Sequence, residues 1–217
     1  MRSGPNTIIN NVSYENEDTG LQFYTGAHDN LIVGNLTYDN GDHGIDNLNA
    51  PSQTMVGNTV FGNVTAGINL EGTSPGGTLS NNISMNNGIN SPRTSSNIRI
   101  DSDSIAGAQI NHDVVFLTSG TIQFIWGKTG YTSLAAFRAA NPTQEVSGKQ
   151  ANPLFANSAA GNFHLTAGSP AIDCADSGAP GQPATDLDGQ ARVDDPATDN
   201  TGVGPRDYDD RGVYEYL

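Results

Sequence analysis

Asn11-Val12-Ser13-Tyr14-Glu15-Asn16 returns as Asn35-Leu36-Thr37-Tyr38-Asp39-Asn40, then Asn58-Thr59-Val60-Phe61-Gly62-Asn63, then Asn82-Ile83-Ser84-Met85-Asn86-Asn87. The spacing is 23 or 24 residues, and both asparagines keep register through all four copies. So does the large side chain between them: Tyr14, Tyr38, Phe61 and Met85. A period this constant marks a stacked repeat, in which residues far apart in sequence fall into columns.

Each period holds three short apolar stretches separated by Gly and Asn. The second coil carries Leu31-Ile32-Val33, Leu36-Thr37-Tyr38 and Gly44-Ile45-Asp46; the third carries Thr54-Met55-Val56, Thr59-Val60-Phe61 and Gly67-Ile68-Asn69-Leu70. Three strands per turn predict an all-β chain, a single-stranded right-handed parallel β-helix with coils about 4.8 Å apart. A leucine-rich solenoid of similar period is disfavoured, because its leucine spacing is absent. Asparagine suits the corners because it tolerates left-handed dihedrals, and stacked side-chain amides can bond along the column.

The pattern loosens after Asn87. Gly88 to Ser96 reads as an insertion, and His112-Asp113-Val114-Val115-Phe116 as a fifth coil. Residues 1–125 are assigned to the coils and 126–217 to a closing segment. Within the latter, Tyr131 to Ala140 predicts a short helix, with Leu134, Phe137 and Ala140 on one face and Asn141-Pro142 as a stop. The Gly-, Pro- and Asp-rich stretch from Gly178 to Asp210 predicts an ordered loop. Helix and loop together are expected to cap the C-terminal end, where a bare solenoid exposes its last strands. The N-terminal end shows no such cap. Since the repeat is already running at Asn6-Thr7-Ile8-Ile9, self-association or upstream coils are expected there.

Composition narrows the partners. The 217-residue chain has a net charge of −14 with only 9 Lys and Arg, which argues against a nucleic-acid face. An acidic chain binds a polyanion most readily when a cation such as calcium lies between them. The single Cys174 excludes an internal disulfide and a cysteine-rich zinc site. No apolar run is long enough to span a membrane.

Aligning the corner after each second strand gives two polar columns: Asp18, Asp42, Thr65, and Gln22, Asp46, Asn69. Carboxylates one coil apart repel by roughly 3–4 kcal/mol at an effective dielectric near 20, and a calcium ion with oxygen ligands at about 2.3–2.6 Å fits between them. Asp18, Asp42 and Asp46 are therefore a candidate calcium site. The competing reading makes them turn formers bonded to backbone amides. His43 reads as a solvated corner residue, and Arg99 is placed beneath Asn69 after the insertion. The other histidines, His28, His112 and His164, read as surface or structural residues, and Lys128 and Lys149 as solvated. An outward face carrying Gln22, Tyr24, Asn69 and Glu71 is a candidate sugar-binding surface, with Tyr24 available to stack on a ring.

The corner Asp42-His43-Gly44-Ile45-Asp46, with Asp18 one coil earlier, resembles the calcium site of the family 9 polysaccharide lyases, β-helix proteins that cleave polygalacturonate by β-elimination. The resemblance covers roughly residues 6 to 90. It implies a calcium-dependent, carbohydrate-active protein acting on an acidic (uronate) polysaccharide. Two positions depart from the family pattern: His43 stands where a second aspartate is usual, and Asn69 stands where the lysine base is usual. An amide cannot serve as a base, so the candidates for proton abstraction are His43, Asn69 only as the position of the lost base, and Arg99. The closing motifs Ser169-Pro170-Ala171-Ile172-Asp173, Asp186-Leu187-Asp188-Gly189 and Gly212-Val213-Tyr214-Glu215-Tyr216 resemble those of secreted bacterial β-helix proteins, which implies an extracellular or cell-surface setting. Three alternatives stay open: a non-catalytic polysaccharide binder, a structural surface module, and a glycosidase using Asp42 and Asp46 as its paired carboxylates.

Overall fold

In the computed structural model, which describes residues 1–217, the three stretches of each period become the strands of three parallel sheets. The first sheet stacks Thr7–Ile9, Leu31–Val33, Thr54–Val56, Thr78–Ser80 and Gln109–Asn111. The second stacks Val12–Tyr14, Leu36–Tyr38, Thr59–Phe61, Ile83–Met85, Val114–Phe116 and Lys149–Gln150. The third stacks Leu21–Phe23, Ile45–Leu48, Ile68–Glu71, Ile98–Ile100 and Phe124–Trp126, and ends on the antiparallel strand Thr129–Tyr131. Lys149–Gln150 pairs with Val114-Val115, so a piece of coil lies well past residue 125.

Side-chain alternation decides what each sheet sends inward. In the first two sheets the middle residue enters the core, as with Ile32, Met55, Leu79, Ile110, Val60 and Val115. In the third sheet the flanking residues do so, as with Ile45, Ile68, Leu70, Ile98, Ile100 and Phe124. Its middle residues, Gln22, Asp46, Asn69 and Arg99, therefore stand in one outward column.

The asparagines form ladders. Asn11, Asn35, Asn58 and Asn82 each donate the side-chain amide and the backbone N–H to the side-chain oxygen of the next coil, at 2.8–3.0 Å, ending on Asp113. Asn16, Asn40, Asn63 and Asn87 form a second ladder of the same kind at 2.8–3.3 Å, ending on Asn97. The left-handed residue is not the ladder asparagine but its predecessor: Asn10, Gly34, Gly57, Asn81 and His112 have φ between 55° and 63°. The expected corner role thus splits in two, with one residue turning the chain and the next bonding along the stack.

The closing segment behaves differently from expectation. The helix Leu134–Ala140 does cover the C-terminal end: Phe137 stacks on Phe124 at 4.4 Å. It begins at Leu134 because Thr129–Tyr131 returns as a strand and Ser133 then caps the helix, accepting from the Ala136 N–H; Ala140 is exposed. Residues 144–150 also cover the last strands, with the Glu145 N–H donating to the Ile110 carbonyl and the Ser147 N–H to Asn111 Oδ1, but the chain from Phe155 onward does not cap the end. It runs back along the side and lies on the first two sheets. Phe163 and Val213 pack with Leu36, Tyr38 and Phe61; Leu165, Ala171 and Ile172 pack with Ile83 and Val114; Ala179 packs with Val33 and Val56. The repeated large residue of the opening motif thus faces outward, and at Tyr38 and Phe61 it enters a second core. The closing motifs fasten this cover: Arg211, 1 % exposed, donates to the Cys174 and Ser147 carbonyls, Gly212 N–H to the Asn81 carbonyl, and Arg192 pairs with Glu215 at 2.7 Å. The third sheet alone has no closing segment packed on its outer face. No helix is long and apolar enough to cross a membrane.

Candidate functional site

The open third face carries the polar column. Gly44 makes its geometry possible, because a Cβ there would lie 2.3 Å from the Val60 side chain and 2.7 Å from the Asn63 amide. With that corner drawn tight, Asp46 follows at the strand's second position and stacks between Gln22 and Asn69.

The column is a chain of directed hydrogen bonds. Arg99 Nη1 donates to Asn69 Oδ1 at 2.7 Å and to Glu71 Oε2 at 2.8 Å. A guanidinium only donates, which fixes the Asn69 amide with its NH2 toward Asp46 Oδ1 at 2.7 Å and His43 Nε2 at 3.3 Å. Gln22 Nε2 donates to the other Asp46 oxygen at 3.0 Å. The register expected for Arg99 beneath Asn69 is the one observed.

His43 is 4 % exposed, not a solvated corner. The turn folds it inward, where Nδ1 lies 3.0 Å from the Ala66 carbonyl and 2.8 Å from Thr65 Oγ1. A carbonyl only accepts, so Nδ1 carries the proton and Nε2 turns toward Asn69. His43, Asp46 and Glu71 form the tightest set of metal-type donors, with one ligand atom from each within 4.8 Å of the others. Asp18, Asp42 and Asp46 are not drawn together in that way. Asp18 is exposed, while Asp42 accepts the Thr65 hydroxyl at 2.6 Å and pairs through Oδ1 with Arg93 Nη2.

Electrostatics separate the two inner carboxyls. Burial alone would raise Asp42, but the Thr65 hydroxyl and Arg93, helped by His43, hold it below its ordinary value. Burial pushes Asp46 up, with Glu71 adding to the rise and His43, Asn69 and Gln22 opposing it. Arg93 is raised by Asp42 above all, with smaller help from Asp18 and Glu71; its guanidinium therefore hangs over the same acidic face. Sequence reading missed Arg93 because it lies in the Gly88–Ser96 insertion, outside the repeat register.

A calcium ion fits this donor set poorly. Both Asp46 oxygens already accept amides, Asp42 holds a guanidinium, and the Asn69 NH2 sits between His43 and Asp46 where a cation would. The base candidates are also engaged, with His43 Nε2 behind Asn69 and Arg99 tied to Glu71. Tyr24 is half-buried, and Arg2 lies over its ring at 5.0 Å, covering one stacking face. Elsewhere, His28 pairs with Asp29 and His164 with Asp188. His112 is buried, and Lys149 is tied to the Pro170 carbonyl rather than solvated.

Residues 1–135 match the family described as the right handed beta helix region. Among solved structures, the chain is similar to the crystal structure of pectate lyase Pel9A, at 13 % identity with a TM-score of 0.42. The match covers 97 % of this chain and 65 % of that one, so this chain spans less than two thirds of that protein's length. No curated protein matches.

Proposed function

The chain belongs to the right-handed β-helix family, and on that scaffold we propose a carbohydrate-active protein of polysaccharide-lyase type that binds an acidic, uronate-containing polysaccharide along its open third face. One observation carries this reading. Two sheets are roofed by the chain's own closing segment, while the third carries an in-register row of hydrogen-bonding side chains in which the partly exposed Gln22 and Arg99, with Glu71 and Arg93 beside them, stand around the buried Asp46 and Asn69. A row repeating once per coil suits an extended polymer. An extracellular setting goes with this reading, since that is where such polymers are met.

Binding is better supported than cleavage. β-Elimination needs a base within hydrogen-bond reach of the proton it removes, and His43 meets substrate only if the Asn69 amide moves aside. Calcium at Asp18, Asp42 and Asp46 is the accompanying cofactor proposal, and it requires Arg93 to leave Asp42. The saturated network also favours a second reading, a purely structural face.

Affinity electrophoresis through polygalacturonate, methyl-esterified pectin and a neutral glucan tests the proposal. Retardation by polygalacturonate is expected. Free migration through all three gels sinks the binding reading and leaves the structural one. Ultraviolet absorbance of unsaturated uronide, with and without calcium, reads cleavage separately. Calorimetric calcium titration of the parent and Asp42→Ala reads the ion site.

A further inference from the structure

The donor set that fits calcium poorly holds two protein cations instead. Arg99 stands in the Asp46 column and pairs with Glu71, while Arg93 comes from the Gly88–Ser96 insertion and pairs with Asp42. Neither guanidinium is used up. Arg99 spends only Nη1 on Asn69 and Glu71, which leaves Nη2 and Nε without a protein partner. Arg93 reaches Asp42 through Nη2 while its side chain stays 62 % exposed. A guanidinium presents its remaining N–H groups in a planar fork that matches a carboxylate.

We propose that Arg93 and Arg99 form a metal-independent receptor for a carboxylate group of the polysaccharide, with Asp42 holding Arg93 in reserve until the ligand takes it. The assignment rests on the polysaccharide-binding reading above and names the residues that would give it specificity for acid over ester. Arg99 is the fixed half, braced by Asn69 and Glu71. Arg93 is the movable half, because it comes from an excursion outside the coil register and its own end of the ion pair is exposed, where ion pairs are weak. Two cationic forks also answer the charge problem: a chain of net charge −14 repels a polyanion at long range, so local cations must supply the attraction.

Calorimetry of an unesterified oligogalacturonate tests this, run in chelator and again in calcium. Affinity is expected to be the same in both buffers. Arg93→Gln should weaken it about tenfold, equivalent to ~1.4 kcal/mol, with an unchanged melting temperature. Asp42→Asn keeps an oxygen for the Thr65 hydroxyl but releases Arg93, so it should tighten binding. Methyl-esterified oligomers, which offer a carboxylate to neither arginine, should bind the parent at least as weakly as the acid binds Arg93→Gln.

Binding that disappears in chelator, or that Asp42→Asn weakens, overturns the arginine receptor in favour of calcium. Equal affinity for acid and ester, indifferent to Arg93→Gln, overturns the receptor while leaving the polysaccharide reading intact. No binding of acid or ester by the parent removes both.

Discussion

The second and third sheets are built from the same coils, yet their outer faces have opposite fates. The second turns Leu36, Tyr38, Phe61, Ile83 and Val114 outward, and the chain lays its own Phe155, Phe163, Leu165, Ile172 and Val213 over them. The third turns Gln22, Asp46, Asn69 and Arg99 outward, and no closing segment packs on them; Asp46 and Asn69 are buried within their own hydrogen-bonded row. An apolar face away from the central core must find a cover, whereas a polar face that satisfies its own hydrogen bonds can stay open. The cover is thus part of the fold's hydrophobic core, and the third face is stable without one.

The most severe way to break this contrast is to remove the middle of the cover. Phe163 is 1 % exposed and lies 5.0–5.2 Å, centroid to centroid, from Tyr38, Phe61 and Phe155. Phe163→Ala should cost about 3–5 kcal/mol in denaturant unfolding, as for a large aromatic lost from a core. A loss below about 1 kcal/mol, the scale of a surface change, would mean that the closing segment rests on the helix without stabilising it.

Next in size is a rung of the ladder at the corner where the covered second sheet meets the first. Asn58 is fully buried; its oxygen accepts both N–H groups of Asn35, and its amide donates to Asn82 and the Ile32 carbonyl. Asn58→Ala strands buried donors on Asn35 and should cost about 1–3 kcal/mol. Asn58→Asp, which keeps the acceptor but not the donor, should recover part of that at acid pH only.

The ladder's last rung offers a pH test on the covered side. Burial pushes Asp113 up to about 6 despite the bonds it accepts, and its neighbour Glu145 is raised too. Asp113 Oδ2 and Glu145 Oε1 are both buried without a hydrogen-bond donor. An unfolded aspartate titrates near 4. Between about 4 and about 6, then, the folded chain holds more protons than the unfolded one, and stability falls as pH rises, by up to ~1.4 kcal/mol per unit. Asp113→Asn places the ladder's usual residue there and does not titrate at this position. The melting temperature of the variant should pull ahead of the parent's as pH rises through that window. Parallel curves would show that Asp113 is ionised throughout.

The repeat disclosed the helix, its three strands per turn and the alignment of Gln22, Asp46 and Asn69, because those follow from period and alternation. It did not disclose which sheets would be roofed. Tyr38 and Phe61 look the same in sequence whether they face the central core or a second one, and only the position of Phe163 and Val213 decides it. His43 was misjudged because its burial depends on the Thr65 and Ala66 turn one coil away. Arg93 was invisible because an insertion has no register from which to infer a neighbour.

The smallest effect probes where the roof stops. Tyr14 begins the outward column, stacked on Tyr38 at 4.7 Å with an interplanar angle of 3°, but it is 49 % exposed, as is Val12. Tyr14→Ala forfeits one aromatic pair and should cost only about 0.5–1.5 kcal/mol, well under Phe163→Ala. Measuring both variants across a range of protein concentration makes the comparison discriminating. If Tyr14→Ala approaches the cost of Phe163→Ala, and the parent's melting temperature climbs with concentration while the variant's does not, then the first coil is roofed in solution by a second copy. A small, concentration-independent loss fixes the boundary within the chain: the closing segment shelters the column from Tyr38 onward, and Tyr14 is an apolar residue the fold tolerates in water.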